Sequence, residues 1–289
     1  RPRPRAPCGA SVKSALKGSA TRSARVCVST SRDVRALIRA LVLAAATAAA
    51  TLLAALLLGW LAPDLEPTQQ RLIAVVMLAG AATGVVAATH RDIFTSGNLR
   101  WRLLAVPGAV ALAPFAGGIK DPGLAATAVI VAGYLATGIY EELWFRGMIL
   151  EALASWTPLR AAPLSAALFG LLHLCNIAFG ANPAVTAAQV IGAASFGLGL
   201  AALRLRGMTL WPLVLLHALT DIALQLGDVS SAWRWGLMIG GDTVLLVFGL
   251  ALLWPRAAGR TAGRQRRAVG AQGDRVVWNS PMEAAKGRR

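Results

Sequence analysis

The chain has 289 residues, of which 56% are hydrophobic and only 15% charged, whereas a soluble domain of this length carries about a quarter charged residues. This composition points to a polytopic membrane protein and away from a soluble one. The formal net charge of +16 would suit a nucleic-acid binder, but the whole excess lies in two tails. Residues 1–39 hold ten Lys/Arg against Asp33, residues 255–289 hold nine against Asp274 and Glu283, and 40–254 hold ten of each sign.

The first 32 residues contain no acid and are rich in Arg, Ser and Ala. They read as a basic, disordered tail over 1–39, with a transit peptide as the alternative. The first residue is Arg rather than Met, the mark of a fragment or a misassigned start. Neither this tail nor the one over 255–289 contains a nucleic-acid module, so both are expected to anchor topology and attract anionic lipid headgroups, with no nucleic-acid partner. Cys8, Cys27 and Cys175 are too few and too scattered for a disulfide framework or a thiolate metal site.

Between the tails, 40–254 reads as one transmembrane domain with about eight apolar runs of spanning or near-spanning length. They fall at 41–62, 72–89, 103–118, 124–143, 161–180, 184–203, 208–226 and 235–254; Pro107 and Pro114 interrupt the third. Gly, Ala, Ser and Thr recur in stretches such as `LAGAATGVV` and `IGAASFGLGL`, which lets helix backbones pack closely in lipid. Loop charge alternates with the runs. The 90–102, 144–160 and 204–207 loops carry Arg91, Arg100, Arg102, Arg146, Arg160, Arg204 and Arg206, and the intervening loops have at most one basic residue each. An all-α polytopic bundle with both termini cytoplasmic satisfies every loop.

Ionisable residues inside such runs suggest function by default. Here they are Glu141 and Glu142 at the end of the fourth run, His173 in the fifth, His217 and Asp221 in the seventh, and Asp242 in the eighth. Glu142 and Arg146 are spaced i, i+4 with the acid first, the favourable order for a helical ion pair. Glu141 points about 100° away around the helix, has no local cation, and is available as general base and acid. As an alternative, both glutamates anchor a helix end at the interface. His217 and Asp221 share a helix face, either as a buried hydrogen-bonded pair or as part of a site. His173 and His217 lie roughly 13–18 Å from the cytoplasmic side at 1.5 Å per residue. If the fourth, fifth and seventh runs are neighbours, Glu141, His173 and His217 can meet around a cavity. Asp242 has no evident partner and stays unassigned.

Three signatures now stand in order over about 80 residues: `EELWFR`, `FGLLH` (Phe169 to His173) and `HALTD` (His217 to Asp221). With these the chain resembles the CPBP intramembrane endopeptidases, also called the CAAX-protease or abortive-infection family, over roughly 120–226. The resemblance implies a membrane protease that cleaves peptide bonds at the cytoplasmic side. It implies that Glu141 activates water with His173, that Glu142, Arg146 and Phe169 support them, and that His217 and residue 221 stabilise the oxyanion. Residue 221 is often Asn in the family. Asp221 must be protonated to donate, or else orient and charge His217.

Glu141, His173 and His217 also have the composition of a His₂Glu zinc site. The His-Glu-x-x-His helix motif is absent, and the resemblance favours glutamate catalysis, so no cofactor is expected. Expected partners are membrane lipid and a protein or peptide substrate, lipidated or not. The expected location is a bacterial cytoplasmic membrane, with a plastid membrane as the alternative. The rival functions are a proton-coupled transporter, for which the halves show no repeat, and a non-catalytic relative acting as a scaffold or in toxic-peptide resistance.

Overall fold

The computed structural model describes residues 12–254, with side chains from residue 31 onward. The tail over 255–289 and the beginning of the tail over 1–39 lie outside the described residues. The described chain is helical throughout. Helix α1 (Val12–Leu61) runs across the 39/40 boundary and is followed by α2 (Pro67–Thr89) and the short α3 (Asp92–Thr95). Next come α4 (Ala105–Leu112), set between 3-10 turns at Trp101–Leu104 and Ala113–Gly117, and α5 (Leu124–Glu142). A π-helical segment (Leu143–Ile149) continues α5 into the one-turn α6 (Leu150–Ala152). Then α7 (Pro158–Leu172) tightens into a 3-10 stretch (His173–Phe179), and α8 (Pro183–Leu205), α9 (Leu210–Leu226) and α10 (Ser231–Leu253) complete the bundle.

All eight expected apolar runs are helical. Among the described residues six helical segments are long and apolar enough to cross a membrane, while Trp101–Gly117 and Leu210–Leu226 are shorter. The first of these two changes to 3-10 geometry at Ala113–Gly117, which contains Pro114, whereas Pro107 lies within α4. The second is short but deeply enclosed, burying Leu213, Val214, Leu216, His217, Ala218 and Ala223. The chain is an integral, multi-pass helical membrane protein.

Local sequence explains where the helices begin. Pro67, Pro158 and Pro183 each occupy a first helical turn, where the missing N–H costs nothing. Asn182 caps α8, its side-chain oxygen accepting from the N–H of Ala184 at 2.9 Å and of Val185 at 3.2 Å, which satisfies two of the free donors of that turn.

Small residues bring the site-bearing helices together. α5 packs on α2 and α9, α7 on α8, and α8 on α10. At Gly138 an added Cβ would stand 2.8 Å from the Val214 carbonyl oxygen, and at Gly170 one would stand 2.5 Å from that of Val190. Both pairs of backbones approach more closely than any side chain permits. The expectation for glycine therefore holds in `IGAASFGLGL`, where Gly192, Gly197 and Gly199 all meet neighbours. In `LAGAATGVV` it does not: Gly80 and Gly84 face open space, and Ala79 and Ala82 are buried instead.

Two of the charges assigned to loops prove to belong to helical segments and to be taken up by tertiary contacts. Arg146 is 1% exposed and lies within the π segment. Arg204 lies in the last turn of α8, where its guanidinium donates to the carbonyls of Arg146, Ser96 and Met208 at 3.3, 2.9 and 2.9 Å. Both serve packing, so the alternation of loop charge rests on fewer residues than the sequence suggests.

Candidate active site

The helical run that carries the two glutamates changes pitch directly after them. Over Leu143–Ile149 the backbone widens to π geometry, which offsets hydrogen bonds and often marks functional sites. Neighbouring helices take up carbonyls along this stretch: Ser165 Oγ donates to the Phe145 carbonyl at 3.0 Å, and Arg204 Nε to that of Arg146 at 3.3 Å. Gly147 admits the close approach of Ile93, whose Cγ2 would lie 3.1 Å from an added Cβ. The widened turn is thus held from α3, α7 and α8.

Glu142 and Arg146 form the expected ion pair, with Arg146 Nη1 3.0 Å from Glu142 Oε1 and neither side chain exposed. Their alignment falls short of a hydrogen bond, and none of the three guanidinium nitrogens makes one among the described residues. The second support for the charge is aromatic, since Arg146 Cζ sits 4.3 Å from the centroid of Phe169, a desolvated cation–π contact. Gly197 provides the space, because a Cβ there would stand 3.0 Å from Arg146 Nη2 and 2.9 Å from Phe169 Cδ1.

His217 is the hub. Its Nδ1 donates to Glu142 Oε1 at 2.9 Å, so one carboxylate oxygen serves both His217 and Arg146. Its Nε2 lies 3.4 Å from Glu141 Oε2 and 3.7 Å from Asp221 Oδ2. The sequence predicts that the adjacent glutamates point apart. In the structure both reach the same imidazole, on its two nitrogens. Their environments still differ: the Glu142 side chain has no exposure, whereas Glu141 keeps 13%.

His173 stands at the first residue of the 3-10 stretch after α7. Its Nδ1 lies 3.0 Å from the Phe169 carbonyl. A carbonyl only accepts, so that nitrogen carries a proton, and in the neutral ring the lone pair is then on Nε2. Phe169 packs edge-to-face on both imidazoles, with centroids 5.0 Å from His173 and 5.8 Å from His217. One ring therefore sets the positions of two histidines and one guanidinium. The fourth, fifth and seventh runs do meet.

A cavity of about 650 Å³ opens beside this cluster, and His173, His217, Asp221, Phe169, Gln189 and Asp242 are in its wall. Glu141 is not in the wall; it stands behind, against His217 Nε2. The seven residues singled out from the sequence thus form one cluster, with the two histidines and Asp221 facing the cavity.

Residues 123–223 match the family model described as type II CAAX prenyl endopeptidase, Rce1-like. This segment is a Rce1-like domain. The domain holds every residue of the cluster from Glu141 to Asp221, and its family is one of intramembrane endopeptidases. No curated protein and no solved structure gives a significant match to the chain.

Several partners in the Rce1-like domain escape a reading of the sequence. Phe196 packs on His217 with centroids 5.2 Å apart, and Ser165 and Arg204 hold the π segment. Ser165 alone leaves a trace, as a single hydroxyl within `AAPLSAALFG`. Among the described residues no three His, Cys, Asp or Glu side chains are arranged to hold a metal ion. Glu141 and His217 approach each other, but His217 commits Nδ1 to Glu142 and turns Nε2 toward two carboxylates. In this arrangement Glu141, His173 and His217 are not grouped as a His₂Glu centre.

Proposed function

We propose that this protein is an intramembrane endopeptidase that hydrolyses a peptide bond by glutamate-activated attack of water. The observation that carries the reading is the difference between the two glutamates. Glu142 is spent on Arg146 and His217 with no exposure, while Glu141 keeps 13% exposure and is matched by no Lys or Arg ion pair among the described residues.

Glu141 accepts a proton from water as the water oxygen attacks the scissile carbonyl carbon, and His173 Nε2 helps to orient that water. The carbonyl oxygen becomes an oxyanion. His217, charged and held by Glu142 through Nδ1, donates from Nε2; at 3.4 and 3.7 Å from the flanking carboxylates, that N–H is not committed to either. Glu141 then returns its proton to the leaving nitrogen, the C–N bond breaks, and a carboxylate and an amine result. Asp221 does not face the oxyanion as a donor. It supports the charge on His217, as a carboxylate does for a catalytic imidazole. The reaction takes place at the cytoplasmic side, where the basic tails anchor the chain, on a membrane-embedded protein or peptide.

Cleavage in membranes containing ¹⁸O-labelled water tests this. The reading predicts one solvent oxygen in each new carboxylate and a loss of about 10³-fold or more in kcat/KM for Glu141→Gln, the scale of general acid–base catalysis. Full activity of Glu141→Gln, or an acyl-enzyme trapped by hydroxylamine, would contradict it.

A further inference from the structure

Asp242 lies midway along α10, in the apolar stretch `MIGGDTVLL`. A carboxylate at such a depth is costly unless a partner or a water-filled cavity receives it. No partner is present: Asp242 makes no hydrogen bond or ion pair among the described residues. It is half-buried, and it forms part of the same cavity wall as His173, His217 and Asp221. Room for it is built into the facing helix, because any Cβ at Gly192 of α8 would overlap the Asp242 carboxylate.

Asp242 is not a member of the catalytic cluster. His217 contacts Glu141, Glu142 and Asp221, and His173 bonds only to the Phe169 carbonyl and packs on its ring. The cavity wall holds two carboxylates, Asp221 and Asp242, and no Lys or Arg. The wall is mostly apolar, with Val110, Leu224, Trp235 and Met238, and also carries the uncharged polar side chains of Gln189, Ser195, Thr220 and Thr243. An anionic group in a mostly apolar cavity wall fits a long aliphatic stem that ends in a cation.

We propose that Asp242 is a specificity-determining residue of the peptide site: its carboxylate receives the Lys or Arg side chain of a substrate residue flanking the scissile bond. The assignment rests on the hydrolase reading for its biological meaning, but it is a statement about binding and is testable without turnover. The full chain carrying Glu141→Gln, in lipid nanodiscs, is titrated with a positional set of fluorescent Ala/Leu decapeptides. Each carries a single Lys or, in the matched set, a single norleucine.

At one position the Lys peptide is expected to bind about tenfold more tightly than its norleucine match, the scale of one well-placed, partly desolvated ion pair. Adding Asp242→Asn brings that ratio to about one, Asp242→Glu restores a preference for Lys, and Asp242→Lys transfers it to a Glu-bearing peptide. No preference at any position, or one that survives Asp242→Asn, overturns the proposal. Wild-type cleavage of the same peptides is scored separately. Absence of wild-type cleavage of every peptide sinks the hydrolase reading, cleavage that persists in Glu141→Gln sinks the role of Glu141, and either result leaves the binding ratios standing.

Discussion

The ion cluster and the cavity beside it share His217 but are built in opposite ways. On one side Glu142 and Arg146 are sealed, with two opposite charges at 3.0 Å and the guanidinium over the Phe169 face. On the other side His173, Asp221 and Asp242 line about 650 Å³ of space, and their polar groups are only partly engaged. A hydrolase needs both. Fixed charge is strongest where water is excluded, whereas the attacking water and the peptide need an open wall. In the proposed mechanism the imidazole at the boundary is positioned by one half and acts in the other.

The sealed half is the place to break this contrast most severely. Arg146→Met leaves Glu142 as a buried charge without its cation, at a cost of about 3–5 kcal/mol in stability. Thermal unfolding in detergent should show that loss. The double variant Glu142→Gln/Arg146→Met should recover much of it, since both charges then go together. If Arg146→Met unfolds like the wild type, the sealed pair is not structural.

The join between the halves comes next. Gly138→Ala places a methyl 2.8 Å from the Val214 carbonyl and must push α5 away from α9, at about 1–3 kcal/mol. It separates the glutamates from His217, so activity should fall by more than stability alone accounts for. The smallest effect belongs to the support of the π turn. Ser165→Ala leaves the buried Phe145 carbonyl without its donor, for about 1 kcal/mol, and should accelerate hydrogen exchange across 143–149 with only a modest loss of cleavage.

These supports also mark what a sequence reading can and cannot see. The helical runs, the family resemblance and the Glu142–Arg146 pair are all legible, because apolar length, short motifs and i, i+4 spacing are local properties. Which helices touch is not legible. Runs that are apolar all round carry no stripe to show which face meets a neighbour, so the meeting of α5, α7 and α9 appears only in three dimensions. The π turn leaves no periodic signature and relies on Ser165 and Arg204 from distant segments. Arg146 and Arg204 mislead for the same reason: next to a predicted helix end, an arginine buried by tertiary contacts looks like a loop charge. Asp242 stands out in the sequence as an anomaly, but only the cavity gives it a context.

The central claim is that neighbouring glutamates on one helix do different work, and one paired measurement tests it most directly. Glu141→Gln and Glu142→Gln are compared in the same membranes for peptide cleavage and for thermal unfolding. The account predicts that Glu141→Gln unfolds like the wild type yet loses cleavage by about 10³-fold or more, while Glu142→Gln is destabilised by about 3–5 kcal/mol. The account is contradicted if the two profiles are exchanged, or if Glu141→Gln still cleaves at the wild-type rate.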